Sequence, residues 1–256
     1  MPFKKIVLLA GQWDTTPVVY HFLQQHLSVD KAIIEEGVGK KEFLKKRIKK
    51  LGWISVSGQV LFQIVVGKRL KKNSAKRIAG ILQQYNLNNK PIDKAKILNI
   101  ASVNSDTCLL SLNQLNPDLV IIHGTRIISK KILQQVNAKF INIHAGITPR
   151  YRGSHGAYWA LYNDDEENCG VTVHLVDAGI DTGRILAQGK IPLTQEDNFI
   201  TYPYLQLAEG LYMMKESIKK IEQGEKPEVH NTLNSALWYH PTLWGYLWKR
   251  ITKGIK

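Results

Sequence analysis

Five short, β-branched apolar runs, separated by segments long enough to hold a helix, constrain the fold of this chain more than any other feature. Lys5 to Ala10 (KIVLLA), Ala32 to Ile34, Lys96 to Ser102 (KILNIAS), Leu119 to His123 (LVIIH) and Phe140 to His144 (FINIH) read as strands. Strands joined through crossovers of a dozen or more residues run parallel and are covered by their crossover helices. The expectation is an α/β fold with a mostly parallel sheet. One crossover helix is predicted at Ser105 to Leu115, with Ser105 or Asn104 as its cap. After Pro149 the pattern changes. Gly170 to Val176 (GVTVHLV) and Ile185 to Leu193 (ILAQGKIPL) read as an antiparallel pair joined by a loop, and Tyr202 to Gln223 as a long helix.

The charge is local. The chain of 256 residues has a formal charge of +14, yet Gly37 to Arg77 alone holds thirteen basic residues and one acid, Glu42, leaving 22 basic and 20 acidic residues elsewhere. That distribution argues against a nucleic-acid-binding field over the whole surface. The basic residues flank an uncharged stretch, Leu51 to Gly67. On a helix its Ser55, Gln59 and Gln63 form one narrow polar stripe, with Trp53, Ile54, Leu61, Phe62 and Val65 around the rest. Such a helix either packs on the domain or a second subunit, or lies at an anionic membrane surface anchored by its flanking cations. The stretch is too short and too polar for the ~20 apolar residues of a membrane span. Ile6 to Ala10 is too short for a secretory signal. Cys108 and Cys169 lie 61 residues apart, without disulfide or zinc-ligand companions, and read as buried filler. A cytoplasmic protein is expected, with the inner face of a membrane as the alternative.

Chemistry concentrates in Phe140 to Gly153, FINIHAGITPRYRG, and Val176 to Gly183, VDAGIDTG. Asn142 and His144, two apart on a strand, project from one face at its carboxyl end, where open α/β sheets bind ligands. Asp181 can complete an amide, imidazole and carboxylate cluster. Such a cluster suits acyl transfer to an amine: Asn142 and His144 steady an oxyanion, while Asp181 orients His144 and relays a proton. On spacing alone, a hydrogen-bonded structural pair is the plainer reading. No histidine or cysteine pair has the close spacing of a zinc site, so no metal is expected.

The string NIHAGITPRYRG, with IDTG some forty residues on, resembles the formyltransferase family, which includes glycinamide ribonucleotide transformylase, methionyl-tRNA formyltransferase and the sugar N-formyltransferases. The resemblance covers about Lys96 to Ala208, is faint over the first 35 residues and is absent from the basic insert and the tail. It implies a Rossmann-like sheet of the formyltransferase type and places the family's catalytic Asn, His and Asp on Asn142, His144 and Asp181. It implies 10-formyltetrahydrofolate as formyl donor, its pterin lying against Gly124, Arg126, Ile127 and Ile128 (GTRII) and Val176, Asp177, Ala178, Gly179 and Ile180. Residues 1–223 are then a catalytic domain, with a basic helical insert at 37–95, and residues 224–256 a short aromatic and basic tail.

Departures from the family narrow the acceptor. A glycine-rich phosphate loop is replaced by Gly11-Gln12-Trp13-Asp14-Thr15-Thr16-Pro17, which disfavours a purine-pathway acceptor, although the following helix start retains free amides. Only Gly224 to Lys256 follows the last catalytic helix, so transfer RNA is disfavoured too and no nucleic-acid partner is expected. The hydrolase branch carries an extra leading domain, for which Lys5 as the first strand residue leaves no room. An amino sugar, nucleotide-linked or lipid-linked, remains as acceptor by elimination. Arg150, Tyr151, Arg152 and His155 either contact an anionic acceptor or form a solvated loop. The tail's Trp238, Trp244 and Trp248 beside Lys249, Arg250, Lys253 and Lys256 pack on the core or a second subunit, meet a membrane interface, or stack on a ligand. The function expected is an N-formyltransferase; the alternatives are a formyltetrahydrofolate hydrolase and an inactive membrane-peripheral binding protein on the same fold.

Overall fold

Strand β1 (Ile6–Gly11) has no polar side chain and every residue of it is buried, as a strand covered by helices on both faces requires. In this computed structural model, which describes residues 2–37 and 39–256, β1 lies between β2 (Val29–Glu35) and, on its other side, β4 (Leu119–His123), all parallel. The outer neighbours are β3 (Ile97–Ile100) and β5 (Lys139–His144), also parallel. The two-residue β6 (Arg152–Gly153) leaves this sheet, and β7 (Gly170–Leu175) and β8 (Ile185–Lys190) return to it antiparallel. The order is β3-β2-β1-β4-β5-β7-β8, the expected α/β sheet.

The two faces of β1 follow its alternation. Ile6, Leu8 and Ala10 face Val18, Val19, Phe22 and Leu23 of helix α1 (Thr16–Leu27), whereas Val7 and Leu9 face the opposite layer. Between β2 and β3 come α2 (Lys40–Leu51), α3 (Trp53–Phe62), a π-helical turn at Gln63–Gly67, α4 (Lys68–Asn73) and α5 (Ala75–Gln84). The opposite layer contains α6 (Asp106–Leu115), whose cap Ser105 accepts the Cys108 amide, and α7 (Lys130–Gln135), capped by Ser129. Then α8 (Gly156–Tyr162) precedes β7, and α9 (Tyr202–Glu222) lays Leu207, Leu211, Met214 and Ile218 on the α1 side of the sheet. Cys108 and Cys169 are buried, and burial pushes both thiols up to about 12.

Several boundaries differ from the sequence expectation. The weak second strand is longer than Ala32 to Ile34, because its polar ends find partners: Asp30 accepts the Ile6 amide, and Lys31 reaches the Ala95 carbonyl. The third is shorter than Lys96 to Ser102, since Lys96 closes a 3₁₀ turn at Lys94–Lys96. The segment 37–95 is not wholly an addition, because α5 packs Leu82 into the core between β2 and β3, supplying the crossover that a parallel pair needs.

Residues 224–256 pack back on the body. Strand β9 (Leu237–Trp238) pairs with β6, and α10 (Leu243–Lys253) buries Tyr246 against Phe62 and Tyr158. Trp238 stacks on Trp159, centroids 4.8 Å apart, and its indole N–H donates to the Arg150 carbonyl. Core packing is therefore the role of Trp238, while Trp244 and Trp248 remain exposed. Among the described residues no helix is long and apolar enough to cross a membrane.

Candidate active site

The carboxyl ends of β4 and β5, the loop before β8 and the tail enclose a cleft of about 600 Å³. Asn142 and His144 enter it from β5, paired across the sheet with His174 and Thr172 of β7. His174 Nδ1 lies 2.7 Å from the Leu175 carbonyl, which only accepts, so this nitrogen carries the hydrogen and Nε2 is an acceptor. The Asn142 amide nitrogen, 3.2 Å from His174 Nε2, must then donate to it. Burial, with the His144 ring nearby, holds the His174 pKa below its ordinary value and keeps it a neutral acceptor. One amide hydrogen of Asn142 is fixed in this way, and the other remains for the cleft.

His144 is buried and held at both ring nitrogens. Nε2 donates to the Tyr151 carbonyl at 2.7 Å, while Nδ1 faces Asp181 Oδ2 at 3.2 Å. Both ring nitrogens thus face acceptors, a carbonyl on one side and a carboxylate on the other. Asp181 has a left-handed backbone, φ 52°, a conformation that Asp tolerates better than most side chains. Its loop is anchored on three sides. Asp181 Oδ2 accepts the Gly153 amide at 3.0 Å, Arg152 donates to the Ile180 carbonyl, and Asp177 accepts from Gly179 N–H and the Thr182 hydroxyl.

The walls proposed for a pterin, 124–128 and 176–180, both line the cleft except at Ala178. Ile122, Ile128 and Val176 make it apolar, and Gly124, with φ 61°, turns the chain at its edge. The Arg126 side chain turns away to Glu35, 3.0 Å, and to the carbonyls of Glu36 and Ala101. It orders the loop from below, together with the Arg126 amide on Glu35 and the Trp13 and Asn104 side chains on the Gly124 and Ile127 carbonyls. A flat ring with polar edges fits apolar side chains flanked by peptide groups, so these residues suit the folate head group. Among the described residues no group of three or more His, Cys, Asp or Glu is arranged to hold a metal ion.

The four residues proposed for the acceptor are corrected. Tyr151 is fully buried, and its hydroxyl donates to Asp165 at 2.7 Å. Arg150 pairs with the same Asp165 at 2.9 Å. His155 packs on Phe199 and His240, and burial pushes its pKa down to about 3. Arg152 braces the Asp181 loop. None of the four side chains borders the cleft. The residues that do are Phe43 and Lys50 of α2 and Leu237, Trp238 and Tyr239 of the tail, with the Lys50 ammonium 5.2 Å from the Tyr239 ring. The sequence offered no spacing signal for these, since they join across almost 200 residues. His174 did carry a signal: Thr172 and His174 alternate in GVTVHLV and so face the same side as each other.

A family model described as formyl transferase matches residues 37–204, running through the basic insert from which the motif resemblance was absent. The methionyl-tRNA formyltransferase of Thermodesulfovibrio yellowstonii is 37% identical over 121 residues, 46% of this chain and 39% of that protein. A GDP-perosamine N-formyltransferase of Brucella melitensis biotype 1 is 30% identical over 111 residues, 43% of this chain and 42% of that protein. The X-ray structure of a sugar N-formyltransferase from Shewanella sp FDAARGOS_354 has the same fold, with a TM-score of 0.54 at 16% identity over 91% of this chain and 76% of that one. The matched regions span about two fifths of the length of these curated relatives.

Proposed function

The chain belongs to the formyl transferase family, and on that premise we propose that it transfers a formyl group from 10-formyltetrahydrofolate to a primary amine on an anionic amino sugar, nucleotide-linked or lipid-linked. The observation that carries this reading is the joint fixing of Asn142, His144 and Asp181 on one wall of the cleft, beside an apolar wall suited to the pterin. The bound folate supplies an activated formyl group. Asn142 offers its free amide hydrogen to the oxygen that becomes negative as the amine adds to the formyl carbon. His144, held between the Tyr151 carbonyl and Asp181, turns its ring edge to the same region. Preorganised donors of this kind are each worth roughly 2.7–4 kcal/mol to a transition state. Asp181 would take the proton that the amine loses, through water, and that proton would pass on to the folate nitrogen as its bond to the formyl carbon breaks and tetrahydrofolate leaves.

The acceptor side is formed by Phe43, Lys50 and Tyr239, and the Lys50 ammonium favours a substrate that carries phosphate or another anion. The relatives are named for a nucleotide-linked sugar in one case and a transfer RNA in others, both phosphate-bearing, in keeping with such a cleft. Water as the acceptor, the hydrolase alternative, has no support among these relatives. A screen of amino-sugar nucleotides, aminated lipids and amino acids with 10-formyltetrahydrofolate tests the proposal. Mass spectrometry should read a gain of one formyl group on a phosphate-bearing amine; formate release at one rate with and without every amine would refute transfer.

His174 should act by holding Asn142 and not by touching substrate. Replacing it with leucine removes one orienting hydrogen bond, worth about 1 kcal/mol. The expected result is a kcat lower by about five- to ten-fold with KM little changed. His174→Gln, which can still accept from Asn142, should recover most of that loss. Equal losses in both variants would assign His174 a purely packing role.

A further inference from the structure

The amphipathic stretch of the basic insert buries Val56 and Phe62 but leaves most of its other large apolar side chains outside. Its polar stripe points inward: Gln59 is buried, donates to the His240 carbonyl at 2.7 Å and accepts from Arg47, while Gln63 meets the His240 ring. The outward side of α3 and the π-turn is then Trp53, Ile54, Val60, Leu61, Ile64 and Val65, all exposed, Trp53 by 69%. Beside it lies α10, whose Trp244, Leu247, Trp248 and Ile251 stand at i, i+3, i+4 and i+7, one exposed stripe. The two helices touch where Gly58, having no Cβ, admits the Trp244 ring. Ten large apolar side chains on two adjoining helices make a patch that a soluble surface seldom leaves open.

Cations border this patch. Lys45, Lys49, Lys68, Arg69 and Lys72 are exposed on the flanking helices without an acidic partner among the described residues, and Lys249 and Arg250 follow Trp248 in α10. A second copy of the chain is a poor occupant, because it would bring two patches with the same basic borders face to face. A nucleic acid answers the charge but has no apolar interior to receive Ile64, Leu61 and Ile251. An anionic bilayer answers both, taking tryptophan and aliphatic side chains below its headgroups and lysine at them. We infer that α3 and α10 form a peripheral docking surface for an anionic lipid membrane. Because α2 continues from this patch to Phe43 and Lys50, the docked protein holds the mouth of its cleft close to the lipid headgroups. This inference concerns location and stands whether or not the proposed formyl transfer is correct.

The test uses the full chain and vesicles, and it reads binding rather than activity. Vesicles of phosphatidylcholine with about one third phosphatidylglycerol should pellet the protein, and neutral phosphatidylcholine or high salt should weaken binding by about ten-fold or more. Insertion is distinguished from adsorption of a basic protein by lipids brominated in the upper acyl chain, which should quench tryptophan fluorescence. Trp53→Phe with Trp248→Phe should abolish most of that quenching while binding persists. Ile64→Glu should weaken binding by about ten-fold, with an unchanged circular-dichroism spectrum and melting temperature showing that the fold is intact. Binding without quenching, and indifferent to Ile64→Glu, would show charge adsorption alone and overturn the inference. So would a dimer in sedimentation that dissociates on Ile64→Glu and does not bind vesicles.

Discussion

Replacing His144 with alanine is expected to lower the rate of formyl transfer by two to three orders of magnitude while the protein stays folded. The ring touches two groups that fix its position, the Tyr151 carbonyl at Nε2 and Asp181 at Nδ1. Alanine removes both bonds and the ring proposed to face the developing negative charge, and the loss of one such preorganised group lowers kcat by about 10²–10³. The wall proposed for the folate, 124–128 and 176–180, is untouched, so the donor KM should change little and the loss should fall on kcat. Asp181→Asn keeps the shape and the acceptor for the Gly153 amide but removes the carboxylate charge. Because that carboxylate faces His144 Nδ1 and is the proposed proton acceptor, the variant should reduce kcat to a similar degree. The double variant should be little worse than either single one, since the two residues act as a unit. Tetrahydrofolate release measured by absorbance, alongside thermal melting, checks this. Full activity in either variant would remove His144 and Asp181 from the reaction.

Legibility in the sequence followed the range of the interactions. The parallel strands showed as β-branched runs because each needs only its own two covered faces, and Ser105 showed as a cap because its partner is three residues away. Asn142 and His144 were visible as a pair from their spacing of two. Asp181 came from the motif resemblance, since its bond to His144 closes across the sheet. Tyr151, Arg150 and His155 were misplaced for a physical reason: polar residues after a strand read as ligand contacts, yet the turn from Ile147 to Tyr151 sends Tyr151 inward to Asp165. Periodicity revealed the Ser55, Gln59 and Gln63 stripe but not which side of it faced the body. That was settled by His240, some 180 residues later, whose carbonyl and ring supply the buried partners. The side of the cleft proposed for the acceptor, Phe43 and Lys50 against Tyr239, is the same case at longer range.

Arg77→Ala is expected to destabilise the fold by about 3 kcal/mol, because it strands a buried carboxylate. Asp197, whose side chain is fully buried, accepts two hydrogen bonds from the Arg77 guanidinium at 2.9 Å each, and further bonds from Thr194 and Thr201. This pair and the neighbouring Ser74 to Asn198 bonds fasten the start of α5, and with it the basic insert, to the loop before α9. The value sits at the lower end for a buried pair since Arg77 retains some exposure, and it corresponds to a melting temperature lower by about 6–12 °C. Burial alone would raise the Asp197 pKa, but the Arg77, Thr194 and Thr201 bonds more than offset it and hold it below the ordinary carboxylate range. The sign of the pH effect follows. A depressed folded pKa gives stability that is complete above the unfolded value, about 3.9, and is lost as pH falls through the folded one. The native protein should therefore keep this increment at neutral pH and lose it only in acid, whereas the stranded carboxylate of Arg77→Ala is relieved as soon as it takes up a proton, so the gap between the two should narrow as the solution is acidified. Adding Asp197→Asn to Arg77→Ala removes the stranded charge and should recover part of the loss. Losses that simply add in the double variant, with no narrowing in acid, would show that the two side chains do not stabilise the insert as a pair.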